Sequence, residues 1–99
     1  MRFEFEDDDL RRLYEERDFV LPRIGADVTK AFRKKMGFLA NAESESDLRS
    51  YRALRFEKLK GGRVGQHSIR LNDQWRLILR IGKDAEGHLL IIVEIVDYH

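Results

Sequence analysis

Residues 88–99 read HLLIIVEIVDYH. Seven of the eight positions from Leu89 to Val96 are large aliphatics, and an unbroken run of Leu, Ile and Val suits a strand buried on both faces. A sheet built around such a strand places it centrally and pairs it on both sides. The chemistry then changes abruptly to an acid, a phenol and an imidazole in Asp97, Tyr98 and His99. Anchored by the most apolar segment of the chain, these three groups are held on a rigid element, where a site is best preorganised.

Working outward, the preceding segments share a two-residue period. Gln74 to Ile81 places Trp75, Leu77, Leu79 and Ile81 on one face and Arg76, Ile78 and Arg80 on the other. Gln66 to Leu71 splits the same way, with His67, Ile69 and Leu71 opposed to Ser68 and Arg70. A tight turn at Asn72-Asp73 joins these two strands, and Gly82 to Gly87 forms the next hairpin loop. If the face carrying the arginines is left open, they converge there from neighbouring strands. Leu59 to Gly65 has three glycines in five residues and reads as a loop. Arg52 to Leu59 reads as a further strand.

The first half is organised differently. Phe3 and Phe5 alternate with Arg2, Glu4 and Glu6 as a short half-buried strand. Asp7, Asp8 and Asp9 supply capping oxygens for a helix from Leu10 to about Asp18, with Leu10, Leu13 and Tyr14 on one face. Pro22 and Gly25 break the chain before a second helix whose stripe is Ile24, Val28, Phe32, Met36 and Leu39. Ala42 to Ser50 is polar and reads as a turn. The expected fold is α+β and one domain over residues 1–99: an N-terminal strand, then a helical hairpin on one face of a small, mainly antiparallel sheet, in the order β-α-α-β-β-β-β.

With 99 residues, 42% of them hydrophobic and 37% charged, the chain can build one core. It has no cysteine, which excludes disulfides and thiolate metal sites. No apolar run approaches the ~20 residues that span a bilayer, and MRFEFEDDD lacks the apolar core of a signal peptide. A cytoplasmic protein without membrane contact is the expectation. The net charge of +1 conceals an asymmetry: residues 49–80 hold nine Lys and Arg against Glu57 and Asp73, between acidic flanks. An anion-binding footprint and a merely solvated strand face both fit that pattern.

The candidates for chemistry are Lys60 beside the glycine loop, Arg76 on its strand, and Asp97, Tyr98 and His99. Arg55, Lys58, Arg63, Arg70 and Arg80 are candidate contacts to an RNA backbone. RNA cleavage needs no metal, because the 2′-hydroxyl attacks the adjacent phosphate. The protein must take that proton, stabilise the added negative charge and protonate the departing 5′-oxygen. Histidine carries protons near pH 7; tyrosine does so when cations lower its pKa from ~10. Lys60 and Arg76 supply such a field, and Arg76 also offers a planar fork for a phosphate. Tyr98 or Trp75 can instead stack on a base, although the parity of Trp75 assigns it to the core. His67 and His88 read as structural. No metal-ligand spacing and no nucleotide-binding glycine fingerprint occurs.

The combination LKGG at 59–62, QHSIRLNDQWRL at 66–77 and VDYH at 96–99 resembles the HigB-type host-inhibition toxins of the RelE/ParE superfamily. The resemblance covers residues 50–99 by motif and the whole chain by element order. It implies a toxin of a type II toxin–antitoxin system: a ribosome-dependent endoribonuclease that cuts translated mRNA in the small-subunit decoding site without a cofactor. It further implies neutralisation by a HigA-like helix-turn-helix antitoxin, with operator DNA bound only through that partner. By residue, it implies proton transfer for Tyr98 and His99, charge stabilisation for Lys60 and Arg76, and acid–base or positioning support for Asp97. The alternatives are a ParE-like inhibitor of DNA gyrase and a non-catalytic RNA-binding module. Where relatives often carry a basic N-terminal stretch, this chain has Glu4, Glu6 and Asp7 to Asp9.

Overall fold

The alternation at the N-terminus forms β1 (Phe3–Phe5). Asp7 then caps α1 (Asp8–Glu15), its carboxylate accepting from the backbone N–H of Asp9 at 2.8 Å and Leu10 at 3.2 Å. In this computed structural model, which describes residues 1–97, α2 spans Gly25–Asn41 and α3 spans Glu45–Ser50. The sheet strands that follow are β2 (Glu57–Lys58), β3 (Gln66–Arg70), β4 (Trp75–Asp84) and β5 (Gly87–Asp97). Their spatial order is β1-β5-β4-β3-β2. All neighbours are antiparallel except β1 and β5, which run parallel with Phe3 opposite Leu90. The aliphatic run is therefore paired on both sides, as its composition requires.

The helices cover one face of this sheet. Val28, Phe32, Met36 and Leu39 of α2, with Leu10 and Leu13 of α1, pack in one core with Ile69, Leu77, Leu79, Leu90 and Ile92. Most of these side chains are fully buried, and truncating such a leucine to alanine costs about 2–5 kcal/mol. Trp75 packs against the same core, in keeping with its parity. A bulge between Ile78 and Leu79 shifts the β4–β5 register, so that Ile78 faces Glu94 while Leu79 faces Ile92. No helix among the described residues is long and apolar enough to cross a membrane.

Four local expectations are corrected. The loop expected over Gly82 to Gly87 is only Ala85 and Glu86, because β4 and β5 stay paired out to Asp84 opposite Gly87. The first helix ends at Glu15, short of Asp18, because the guanidinium of Arg33 on α2 gathers carbonyls of the last turn of α1 and of the residues beyond it. It donates to those of Leu13 (2.9 Å), Glu16 (3.2 Å), Arg17 (3.1 Å) and Phe19 (3.4 Å). The polar stretch 42–50 contains α3, nucleated by Ser44, whose hydroxyl accepts from Asp47 N, while the Asp47 carboxylate accepts from Glu43 N. The two apolar side chains of this stretch, Ala42 and Leu48, are both buried. The strand expected over Arg52 to Leu59 is a 3-10 turn at Arg52–Leu54 followed by the two residues of β2. Arg55, at φ 46°, interrupts any extended path between them.

Candidate functional site

Cross-strand register brings Arg70 of β3 directly opposite Arg76 of β4, and Arg76 in turn opposite Val96 of β5. Like charges facing each other across a ladder repel, and an anion between them relieves that repulsion. A third guanidinium arrives from the 3-10 turn. Arg55 lies in the left-handed region, which costs a non-glycine residue about 1–2 kcal/mol. Leu54, fully buried, and the bonds Leu54 N to Tyr51 O (2.9 Å) and Arg55 N to Arg52 O (3.1 Å) hold it there. Arg55, Arg70, Arg76 and Asp73 line an open cleft of about 250 Å³. Asp73, at the tip of the β3–β4 turn, pairs with Arg70. The turn itself is set by Asn72, whose side-chain oxygen accepts from the N–H groups of Gln74 (2.9 Å) and Trp75 (2.8 Å).

The other cationic candidates lie at the far end of the same sheet. Lys60 follows β2 and precedes Gly61 and Gly65, whose φ values of 64° and 89° make glycine the fitting residue in this loop. Leu59 N donates to Gln66 O at 3.0 Å, which ties the loop to the start of β3. Arg70, at its end, is about 13 Å away along the strand by the usual rise per residue. Lys60 is not among the residues lining the cleft. At its end the arginines are neutralised within the protein. Arg63 donates to Gln66 (2.9 Å) and bridges to Glu94 (3.3 Å), and Arg80 bridges to Glu6 at 2.9 Å. Lys58 pairs across the ladder with His67.

Asp97 closes β5 opposite Trp75, one residue out of phase with the Arg76–Val96 pair, and accepts from Gln74 Nε2 at 3.0 Å. Tyr98 and His99 lie outside the described residues. His67 is buried, stacked on Phe56 with ring centroids 4.8 Å apart, and its Nε2 is 3.9 Å from Glu45. Burial pushes its pKa down, while Glu45 pulls it up. Among the described residues, no group of three His, Asp or Glu is placed to hold a metal.

Thus the register sets Arg76 opposite Arg70 and the 3-10 turn brings Arg55 to the same cleft, which Lys60 does not line. Asp73 is the lining residue that sequence reasoning missed. Its position at an Asn-Asp turn between two arginine-bearing strands was the available signal.

The whole-chain comparisons agree with this architecture. Residues 3–99 match the family model described as the RelE-like toxin of type II toxin–antitoxin system HigB. Toxin HigB-1 of Vibrio cholerae is 40% identical over 80 residues, a match covering 81% of this chain and 83% of that one. Among solved structures, YafQ from E. coli superposes with a TM-score of 0.60 at 14% identity, covering 98% of this chain and 93% of the other. A YoeB/ParE toxin from Agrobacterium tumefaciens gives 0.58 at 13% identity, covering both chains entirely. At such identities these two superpositions establish the shared RelE-like fold alone, whereas the family match and the Vibrio relative speak to kinship. The chain belongs to the HigB-like family of type II toxin–antitoxin toxins.

Proposed function

We propose that this toxin is a ribosome-dependent endoribonuclease that cuts translated mRNA without a metal, and that its scissile phosphate sits in the arginine cleft. The observation that carries this reading is the convergence of Arg55, Arg70 and Arg76 on one open space. Such a cluster matches a phosphodiester whose charge grows in the transition state. In the reaction the 2′-hydroxyl gives up its proton and its oxygen bonds to phosphorus. The bond to the 5′-oxygen breaks, and that oxygen takes a proton, leaving a 2′,3′-cyclic phosphate and a 5′-hydroxyl. Arg76 grips the non-bridging oxygens through its fork, and Arg55 and Arg70 add charge. Tyr98 and His99 carry the two proton transfers, and Asp97 positions the segment that bears them. Lys60 holds a phosphate further along the strand, and Lys58, Arg63 and Arg80 give weaker backbone contacts.

The ribosome's role is orientation. A small, open site gains most from a partner that presents the mRNA backbone at a fixed angle. As a type II toxin it is paired with an antitoxin, which we take to be HigA-like with a helix-turn-helix, and it acts in the cytoplasm.

Mapping of mRNA 5′ ends after expression without antitoxin tests the reading. New 5′-hydroxyl ends within translated regions, absent when translation of the message is blocked and absent with Arg76→Ala, are expected. Growth arrest with no new ends, or with altered DNA supercoiling instead, refutes it.

A further inference from the structure

Behind the cleft, Lys35 of α2 donates from Nζ to the carbonyl of Ala53, inside the 3-10 turn that precedes Arg55. This lysine is half-buried and its pKa is lowered, first by burial and then by the charges of Lys34 and Arg70. An ammonium drawn out of water toward two other cations is not in its own best environment. What it gains there is the Ala53 carbonyl, and with it a fixed link between the helix layer and the turn.

That link falls where the backbone most needs one. Arg55 occupies a left-handed conformation that glycine would adopt freely. Short 3-10 turns are weak on their own, since their hydrogen bonds are poorly aligned. With Ala53 inside the turn and Arg55 one residue past it, a grip on the Ala53 carbonyl adds an anchor from the helix layer to the two backbone bonds and the buried Leu54 that hold Arg55.

We propose that Lys35 is a positioning residue for RNA binding, which by gripping the Ala53 carbonyl holds Arg55 in the left-handed conformation that aims it at the phosphate. This rests on the cleft being a phosphodiester site, and it adds a residue that does not line the cleft. It gives Lys35 a role that its bare charge would not, because the effect passes through one other side chain.

A double-mutant cycle reads this directly, with a short 2′-O-methyl RNA as an uncleavable probe. Lys35→Met in the otherwise native toxin weakens binding by about 5–10-fold and lowers the salt slope by about 0.7, the loss of one single-strand phosphate contact. In an Arg55→Ala background the same substitution changes binding less than about 2-fold, because the two residues act as one unit. Lys35→Arg, which keeps a donor for Ala53, restores affinity. Equal losses in both backgrounds, or no loss in either, overturn the proposal; urea midpoints for each variant separate these outcomes from simple unfolding. Unchanged binding with Arg76→Ala would instead overturn the reading of the cleft.

Discussion

The two ends of the β3–β4 surface both carry arginines but pair them differently. At the loop end, Arg63 and Arg80 are answered by Glu94 and Glu6, carboxylates from β5 and from just beyond β1. At the turn end, Asp73 is the one acid among the described residues that line the cleft; it pairs with Arg70, and its side chain is 96% exposed. An exposed, salt-screened pair yields readily to a phosphate, since such pairs contribute only about 0–1 kcal/mol. Counting cations along the chain cannot separate these ends. Which carboxylate reaches which guanidinium decides it.

The sharpest way to break this contrast is to remove one cation from each end. Arg76→Ala should lower kcat for ribosome-bound mRNA by about 10²–10³-fold, as loss of a transition-state donor does. Lys60→Ala should act mainly on KM, raising it by a few fold, as loss of uniform binding does. Single-turnover cleavage on programmed ribosomes measures both, and a comparable fall in kcat for both variants would merge the two ends into one catalytic centre.

Arg55→Gly probes the strained corner. Relief of the left-handed conformation, about 1–2 kcal/mol, is offset by the flexibility of glycine at about 0.5–1 kcal/mol. Urea denaturation should therefore show equal or slightly greater stability, while RNA affinity falls about 5–10-fold at low salt. A variant that loses both would show that Arg55 serves the fold alone. In the other direction, Glu94→Gln frees Arg63 and should raise RNA affinity by about 2–3-fold, an effect that fades as salt rises.

The weakest effect is a pH dependence shared by both ends. His67 sits on β3 between them, with a pKa lowered from 6.5 chiefly by burial, against Glu45 and near Arg49 and Lys58. The folded protein thus binds this proton less readily than the unfolded chain. The resulting stability is complete above about pH 6.5 and is lost as pH falls through the lowered folded value. His67→Phe should flatten the thermal midpoint over that acid range, and an unchanged slope would place the titration elsewhere.

Much of this was legible wherever a periodic pattern met a core. The stripe from Val28 to Leu39 and the parity of Leu77 and Leu79 specify their faces, because a slip by one residue would expose them. The aliphatic run of β5 carries no such phase, so its bulge opposite Ile78 and Leu79 had no sign in the sequence. The turn before Arg55 was misread as a strand because arginine gives no signal for a left-handed φ, unlike glycine or asparagine. At the candidate site, Arg76 and Arg70 were visible as strand positions. The separation of Lys60 from them was not, since it depends on which end of β3 each borders. The pairing of Arg63 with Glu94 joins groups remote in sequence and leaves no local trace.

The parallel pairing of Phe3 with Leu90 bears on how the toxin comes into being. β1 is completed by β5 at the other end of the element order, and contacts this remote in the chain form slowly. A chain without β5 therefore lacks the partner of β1. With β5 missing, β4 also loses its longest ladder, including the Val96 that backs Arg76. Removing β5 should therefore cost β1 its partner and Arg76 its cross-strand neighbour together, so that the edge strand and the candidate site stand or fall as one.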